Sequence, residues 1–524
     1  MPANDTYTPE ELIELLSSSK EKFGKLDTGR SSVLDRAREC SNLTIPSVIT
    51  DDGHTESDDL ATPYQAVGSR LVHNLANKLL MALLPANASF FRLLPQPEVV
   101  EFAKETETNE ELEKNLVTIE TEIQRQIERE ALRVPIFEAI KSLIIGGNAL
   151  LYKTKDGLKS YKMADYVVSR DFSGNPLEII TKEAVSKEAL PEDILQQIMS
   201  DPDLKETEKV TIYSRAILKA GTWYTFQEVE GFLVEGSEET FKKDGALPYI
   251  PLRWTSINGE NYGRGIVEQY LGDFRSLEAL YQLLLEASSV MSRVLFGKRA
   301  GAVVDIDDIN EADNGVCILG DLENDITTLR VDKGADLNVP MNMVQDLTRR
   351  LEAAFLVASS AARDSDRTTA TEIRFMAADL EQSLGGVYSL LALELQRPLA
   401  GLLLKQSKAP VEQLGVDVVV VTGVEALGRT AELDRLRQFN ALLQETGAAE
   451  QILARMNVGV YVEKIANALS MDATGLIKTD EQLQAEQQQQ QAQQQAQMQQ
   501  QQQMQMEQQG VQALAGAAQA QLSK

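Results

Sequence analysis

Five arginines, Arg349, Arg350, Arg363, Arg367 and Arg374, crowd one stretch of an otherwise acidic chain. Arginine at that density suits contact with phosphate, because its planar fork matches two oxygens at once. Asp346, Glu352, Asp364, Asp366 and Glu372 lie among them, so ion pairs within the chain or between subunits answer the same pattern. Arg363 and Arg367 share a polar loop, 362–371, with Thr368 and Thr369, and Thr369 or Thr371 closes it as a helix N-cap.

The other residues with chemical potential lead nowhere catalytic. His54 stands among Asp51, Asp52, Glu56, Asp58 and Asp59, but the spacing fits no zinc or EF-hand pattern and reads as a solvated loop. His73 lies within a helix, and neither histidine has a Ser or Cys nucleophile motif beside it. Asp305, Asp307 and Asp308 offer paired carboxylates that read as an exposed strand end. Gly297-Lys298 lacks the upstream glycine of a phosphate-binding loop, since position 292 is Ser. Gly263-Arg264-Gly265 is a fragment of a dinucleotide fingerprint with Glu at 268; it reads as a flexible hinge opening a long helix. The expectation is a protein that is not an enzyme, with no catalytic residue, cofactor or metal.

The elements that would carry these residues are long helices. Ile266, Tyr270, Phe274, Leu277, Tyr281, Leu284, Ala287, Met291 and Val294 fall on one face at 3-4 spacing. Ile373, Met376, Leu380, Leu384, Val387, Leu391, Leu395, Leu399 and Leu402 do the same. Helices over 266–296 and 371–405 would span roughly 45 and 50 Å, with a third over 341–362 between them. Such lengths suit a part that reaches along something. Residues 297–339, between the first two, show strand-like 303–306, 316–319 and 326–329.

Upstream, apolar spacing predicts helices over 10–40, 65–84 (stopped by Pro85), 109–130 and from Pro135 to Gly146. The period then changes. Short β-branched and aromatic runs at 149–152, 161–163, 166–168, 178–180, 209–213 and 223–228 predict a β-rich subdomain over 149–255, with a helical insertion near 189–200. Residues 416–421 make one further strand, and 425–469 return to helix. From 481 to 509 Gln dominates, a composition that buries no core by itself.

The chain has 524 residues, room for several cores, and an ordinary hydrophobic fraction of 43%. Its net charge of −28 favours solubility and opposes general binding of nucleic acid, whose affinity comes from neutralising phosphates. Two cysteines, Cys40 and Cys317, make no disulfide framework and fit a reducing compartment. The polar start is no signal peptide, and no run approaches the ~18 apolar residues of a membrane span.

Several stretches in consistent order carry a family likeness. They are 62–68 (Thr-Pro-Tyr-Gln-Ala-Val-Gly), 74–79 (Asn-Leu-Ala-Asn-Lys-Leu), 147–152 (Gly-Asn-Ala-Leu-Leu-Tyr), 166–171 (Tyr-Val-Val-Ser-Arg-Asp) and 249–251 (Tyr-Ile-Pro). Further matches are 262–264 (Tyr-Gly-Arg), 268–278 (Glu-Gln-Tyr-Leu-Gly-Asp-Phe-Arg-Ser-Leu-Glu), 369–374 (Thr-Ala-Thr-Glu-Ile-Arg), 384–389 (Leu-Gly-Gly-Val-Tyr-Ser) and 422–429 (Thr-Gly-Val-Glu-Ala-Leu-Gly-Arg). The chain resembles the portal, or head-to-tail connector, proteins of short-tailed, T7-like bacteriophages over about residues 30–480. Gly263, Arg264, Arg275, Glu372, Arg374, Gly385 and Gly386 are the family-matching structural positions. The Gln-rich end and the acidic loop at 51–59 depart from the pattern.

The resemblance implies a mainly α fold with α+β subdomains, the phage portal fold, assembling as a ring of usually twelve subunits around a central channel. The wing would be 1–264 plus the long helix and strand of 372–424. The stem would be 265–296 and 340–361, the clip 297–339 and the channel loop 362–371. The crown would be 425–480, and a C-terminal barrel or tail 481–524. Such a ring occupies a unique capsid vertex of the virion, assembled in the host bacterial cytoplasm, and conducts double-stranded DNA during packaging and ejection. Implied partners are the other copies of a homo-oligomer (a dodecamer), major capsid and scaffolding proteins, and the terminase large subunit. Tail adaptor and tail tube proteins and internal core or ejection proteins at the crown complete them, with no membrane. Arg363, Arg367, Thr368 and Thr369 become the DNA-contacting loop. The competing readings are an ATP-driven packaging enzyme, opposed by the missing nucleotide motif, and a helical scaffold, opposed by the β-rich 149–255 and the absence of sustained heptads.

Overall fold

Leu71, Leu75, Leu79 and Leu83 recur at helical spacing, and all are fully buried. They form the inner face of helix α3 (Val67–Leu83), around which the body of the protein is organised. The computed structural model describes residues 18–95 except 52, 56 and 86–88, then 109–190, 195, 209–243, 247–292, 295–329 except 318 and 320, 334–357, 378–406 except 385, and 418–422. All of these fall in a unit spanning Met1–Gly428; a second unit covers Arg429–Lys524. The channel loop, crown and Gln-rich tail expected from the sequence lie outside the described residues.

Before α3 come α1 (Ser19–Gly29) and α2 (Ser31–Asn42), and after it α4 (Asn109–Arg129) and α5 (Arg133–Gly146). Ile136, Ala139, Ile140, Leu143, Ile144 and Ile145 of α5 are fully buried, with Lys141 and Ser142 buried beside them, which marks it as the central helix of this layer. It ends at Gly147, in the left-handed conformation with φ 79°. The chain passes straight into β2 (Asn148–Lys153), which lies between β3 (Leu158–Tyr161) and β10 (Tyr249–Arg253) in a three-stranded sheet.

The β-rich region is as anticipated. β4 (Tyr166–Arg170), β5 (Pro176–Ser186), β6 (Lys209–Lys219), β7 (Thr222–Val229) and β8 (Phe232–Leu233) follow one another antiparallel, and β9 (Glu239–Lys242) pairs with the other end of β7 along the same edge as β8. A short 3-10 turn, Lys187–Ala189, follows β5, and the helical insertion expected near 189–200 lies almost entirely outside the described residues. Glu228 of β7 accepts the Ser19 amide (2.8 Å) and the Ser18 hydroxyl (2.7 Å), so the sheet caps α1 from outside. β1 (Phe91–Pro95) pairs antiparallel with β13 (Val418–Thr422), the strand anticipated near 416–421.

The expected continuous helix 371–405 is interrupted. Residues 378–384 are helical, but Gly386 takes φ 90° and a new helix, α11 (Val387–Leu391), starts after it. The chain widens into one π-helical turn, Ala392–Gln396, before α12 (Arg397–Gln406). The apolar stripe survives the break because Leu380, Leu391, Leu395, Leu399 and Leu403 all reach the same core. The run 387–406 is also apolar and long enough to cross a bilayer by composition, contrary to the sequence expectation; more than half of it is buried inside the protein as a core helix.

Candidate functional site: a two-helix stem and its root

Two helices leave the body together. After a short α6 (Ile266–Gln269) comes α7 (Leu271–Ser292), and its partner is α10 (Gly334–Ala354), with Pro340 inside it. The first is thus two pieces rather than one rod, and the second starts and ends earlier than the expected 341–362. At about 1.5 Å per residue the 22 residues of α7 reach roughly 33 Å. The pair is antiparallel, since Arg350 near the end of α10 bonds Asp273 near the start of α7 (2.6 and 2.7 Å).

Burial stops early along the stem. On α7 only Phe274 and Leu277 are buried, and the stripe at Tyr281, Leu284, Ala287 and Met291 is half-covered. Val344, Leu347, Leu351 and Phe355 form the matching stripe of α10. Large apolar side chains off these stripes face outward: Leu283, Leu285 and Val290 on α7, and Val339, Met341 and Met343 on α10. A shallow depression lined by Val339, Asn342, Met343, Asp346, Leu347 and Arg350 runs along α10.

At the far end, β11 (Leu295–Lys298) pairs with β12 (Ile326–Leu329). Of the three strands anticipated between 297 and 339, only the last, 326–329, is a strand among the described residues. Ile306 begins helix α8 (Ile306–Asn310) because Asp305 accepts the Asp307 amide as an N-cap, and Asp321 caps α9 (Leu322–Asp325) likewise. The paired carboxylates at 305–308 therefore belong to a helix start.

The root of the stem is fixed. Gly263-Arg264-Gly265 is not a flexible hinge: a Cβ on Gly263 would lie 2.5 Å from the Thr255 carbonyl oxygen, and one on Gly265 would lie 2.6 Å from the Ile144 and Ile145 carbonyl oxygens. These glycines are there for close backbone packing. Asn148 locks the spot. Its Nδ2 donates to the Gly146 and Gly263 carbonyls and its Oδ1 accepts the Gly263 amide at 2.7 Å.

Polar contacts ring this junction. Arg275 donates Nε and Nη2 to the two oxygens of Glu39 (2.5 and 2.7 Å); that hydrogen bond is the main reason the Glu39 carboxyl sits below its usual range and Arg275 above its own. Arg264 bonds Glu260 and lies 3.6 Å from Glu268, and both raise its pKa. Arg36 reaches Glu268, Arg70 reaches Glu352, and Glu278 accepts the Tyr64 and Gln65 amides. Inside the ring, Phe355 packs edge-on to Phe274 with centroids 5.9 Å apart.

The structure thus brings Gly263, Arg264 and Arg275 to one junction and places Gly386 elsewhere, at the start of α11. Arg363, Arg367, Thr368, Thr369, Glu372, Arg374 and Gly385 lie outside the described residues. His54 stays in its loop, and His73 packs on Phe137, with Nδ1 2.8 Å from the Ser69 carbonyl oxygen. Asn148 went unremarked as a positioning residue in the sequence reading, although the Gly146-Gly147 pair before it was visible.

The stem, with its outward apolar residues and its fixed root, lies in a chain that comparison with known proteins assigns to a family. A profile of the bacteriophage head to tail connecting protein family matches residues 17–477. This chain belongs to that family. The chain is 36% identical over 484 residues to the portal protein of Enterobacteria phage T3 and 35% over 486 to that of Escherichia phage T7, each covering 89% of both chains. The portal protein of Enterobacteria phage SP6 is 33% identical over 479 residues, 89% of this chain and 90% of that one. A chain from the virion of a native gene transfer agent particle aligns with this one at 13% identity and TM-score 0.34, over 73% of this chain and 86% of that one. The family assignment rests on the sequence relatives.

Proposed function

We propose that the chain assembles into the portal ring of a phage head, with twelve copies around a channel for double-stranded DNA. The observation that carries the reading is the stem, whose helices hold Leu283, Leu285, Val290, Val339, Met341 and Met343 toward solvent. Apolar area left in water costs about 25 cal/mol per Å², so a monomer with this stem is poorly matched to solution. Neighbouring copies are the natural cover, and a family of portal proteins matched along the whole stem supports that choice.

In this reading wing, channel loop, crown and tail keep the expected ranges, while the second stem helix begins at Gly334 and so takes 334–339 from the clip. The clip meets the terminase during packaging and the tail adaptor afterwards, and capsid, scaffolding, tail tube and core proteins complete the vertex. The ring does no chemistry of its own; a partner hydrolyses ATP. Its net charge of −28 per copy suits a conduit, because DNA slides where few phosphates are neutralised. Arg363 and Arg367, with Thr368 and Thr369, make the weak contacts that remain. The test is Leu285→Asp together with Met343→Asp. Light scattering should then find folded monomer in place of the multimer, whereas an unaltered multimer would refute stem-mediated assembly.

A further inference from the structure

The stem presents two unlike flanks. Arg350 bonds Asp273 on one side of the helix pair, and Val339, Met343 and Asp346 continue that row of α10 at helical spacing around the shallow depression. The body segment 64–70 marks the other side. Its Tyr64 and Gln65 amides bond Glu278 of α7, and its Arg70 bonds Glu352 of α10. Leu285 lies two turns beyond Glu278 in the same row of α7. The first flank is hollow, while the second carries projections, with Leu285 54% and Tyr64 52% exposed.

Hollow and projections stand at equal heights. Asp273 and Arg350 are level, since they bond each other, and both helices run outward from there with the same rise. Five residues outward lie Glu278, with Tyr64 beside it, and Gln345, between Met343 and Asp346 along α10. Twelve residues outward lie Leu285 and Asn338, the neighbour of Val339. At the root each flank carries one exposed arginine and one carboxylate, Arg350 with Asp273 and Arg70 with Glu352. Laid together, Arg350 meets Glu352 and Arg70 meets Asp273, so the flanks are complementary in charge as well as shape.

We propose that the stem joins copies head to tail, with Tyr64 and Leu285 of one copy seated in the hollow of the next against Met343 and Val339. The proposal rests on the ring reading and adds which surfaces meet and in which sense. Unlike surfaces at one height repeat by rotation without translation, which closes a ring. Pairing of like flanks would set hollow against hollow and stop at two copies.

Leu285→Asp and Met343→Asp, purified as separate full-length proteins, test the sense of the contact. Each spoils one flank and keeps the other. Light scattering should find either variant alone as monomer and their equimolar mixture as a one-to-one dimer. The intact hollow of Leu285→Asp accepts the intact projections of Met343→Asp, and no usable flank remains. Tyr64→Asp or Val339→Asp, each also at an exposed position, replaces a partner that fails to fold and should complement in the same way. A dimer of either variant alone would show like flanks pairing and overturn the proposal, as would a mixture that stays monomeric. Both of those results leave stem-mediated assembly standing, whereas the parental multimer in both variants would refute it too.

Discussion

Glu394 holds Arg253 with both carboxylate oxygens. Oε2 accepts the Arg253 amide at 2.9 Å, and Oε1 accepts Nε at 3.0 Å and Nη2 at 2.6 Å. The π-helical turn 392–396 carries Glu394 to this place while Leu391, Leu395 and Leu399 remain buried. Arg170 lies nearby, and burial lowers its guanidinium to about 10 against the pull of Glu394. The side chains of Arg253 and Glu394 are only 6% and 13% exposed, so the pair is costly to break from one side. Glu394→Ala is expected to destabilise the body by about 3 kcal/mol, read as a lowered urea midpoint. A loss under about 1 kcal/mol would place the pair with ordinary surface bridges.

Gly263→Ala and Gly265→Ala should each do comparable damage at the stem root. The added methyl would meet backbone oxygens 2.5 and 2.6 Å away, which cannot swing aside. A loss of at least about 2 kcal/mol is expected for each. Gly272→Ala, with nothing within 4 Å, should be neutral or stabilising by thermal melt.

The root shows where sequence reasoning reached its limit. A glycine pair looks the same whether it frees the chain or lets two backbones touch, and only the neighbours, Thr255 for Gly263 and the end of α5 for Gly265, decide. The break before α11 was hidden for another reason. Leu384, Val387 and Leu391 keep helical spacing across Gly386, and such spacing reports which face is buried rather than whether the backbone is continuous. The clip misled through composition: Val303 and Val316 favour strands, yet both are exposed, and the Asp305 cap decides the local structure. Where period and burial agreed, as in α3 and β4 to β7, the elements were legible. The loop proposed to contact DNA was read from its arginines and from family likeness, and its residues lie outside those described.

The two cysteines should separate by reactivity. Burial, with Glu268 and Glu39 adding to it, pushes the Cys40 thiol up to about 12, while Cys317 is exposed. Alkylation of the native protein at pH 8 should modify Cys317 and spare Cys40 until unfolding. The folded Cys40 keeps its proton at a pH where the unfolded thiol, with an ordinary value of 9.0, has lost it. Its contribution to stability is therefore complete below about pH 9 and falls as pH rises toward 12. A melting series free of any decline across that window when compared with Cys40→Ala would contradict it.

Changing Arg363 and Arg367 together to Ala should weaken DNA retention in a packaging assay severalfold, since each lost phosphate contact lowers affinity and its salt dependence. Capsid fill and retention equal to the parent would remove the loop from the DNA path.

The central claim is a closed ring, and electron microscopy of the purified protein at assembly concentration tests it most directly. Discrete rings with an open centre and twelvefold, or nearly twelvefold, symmetry are expected. Monomers, or open filaments with no closed ring, would contradict it.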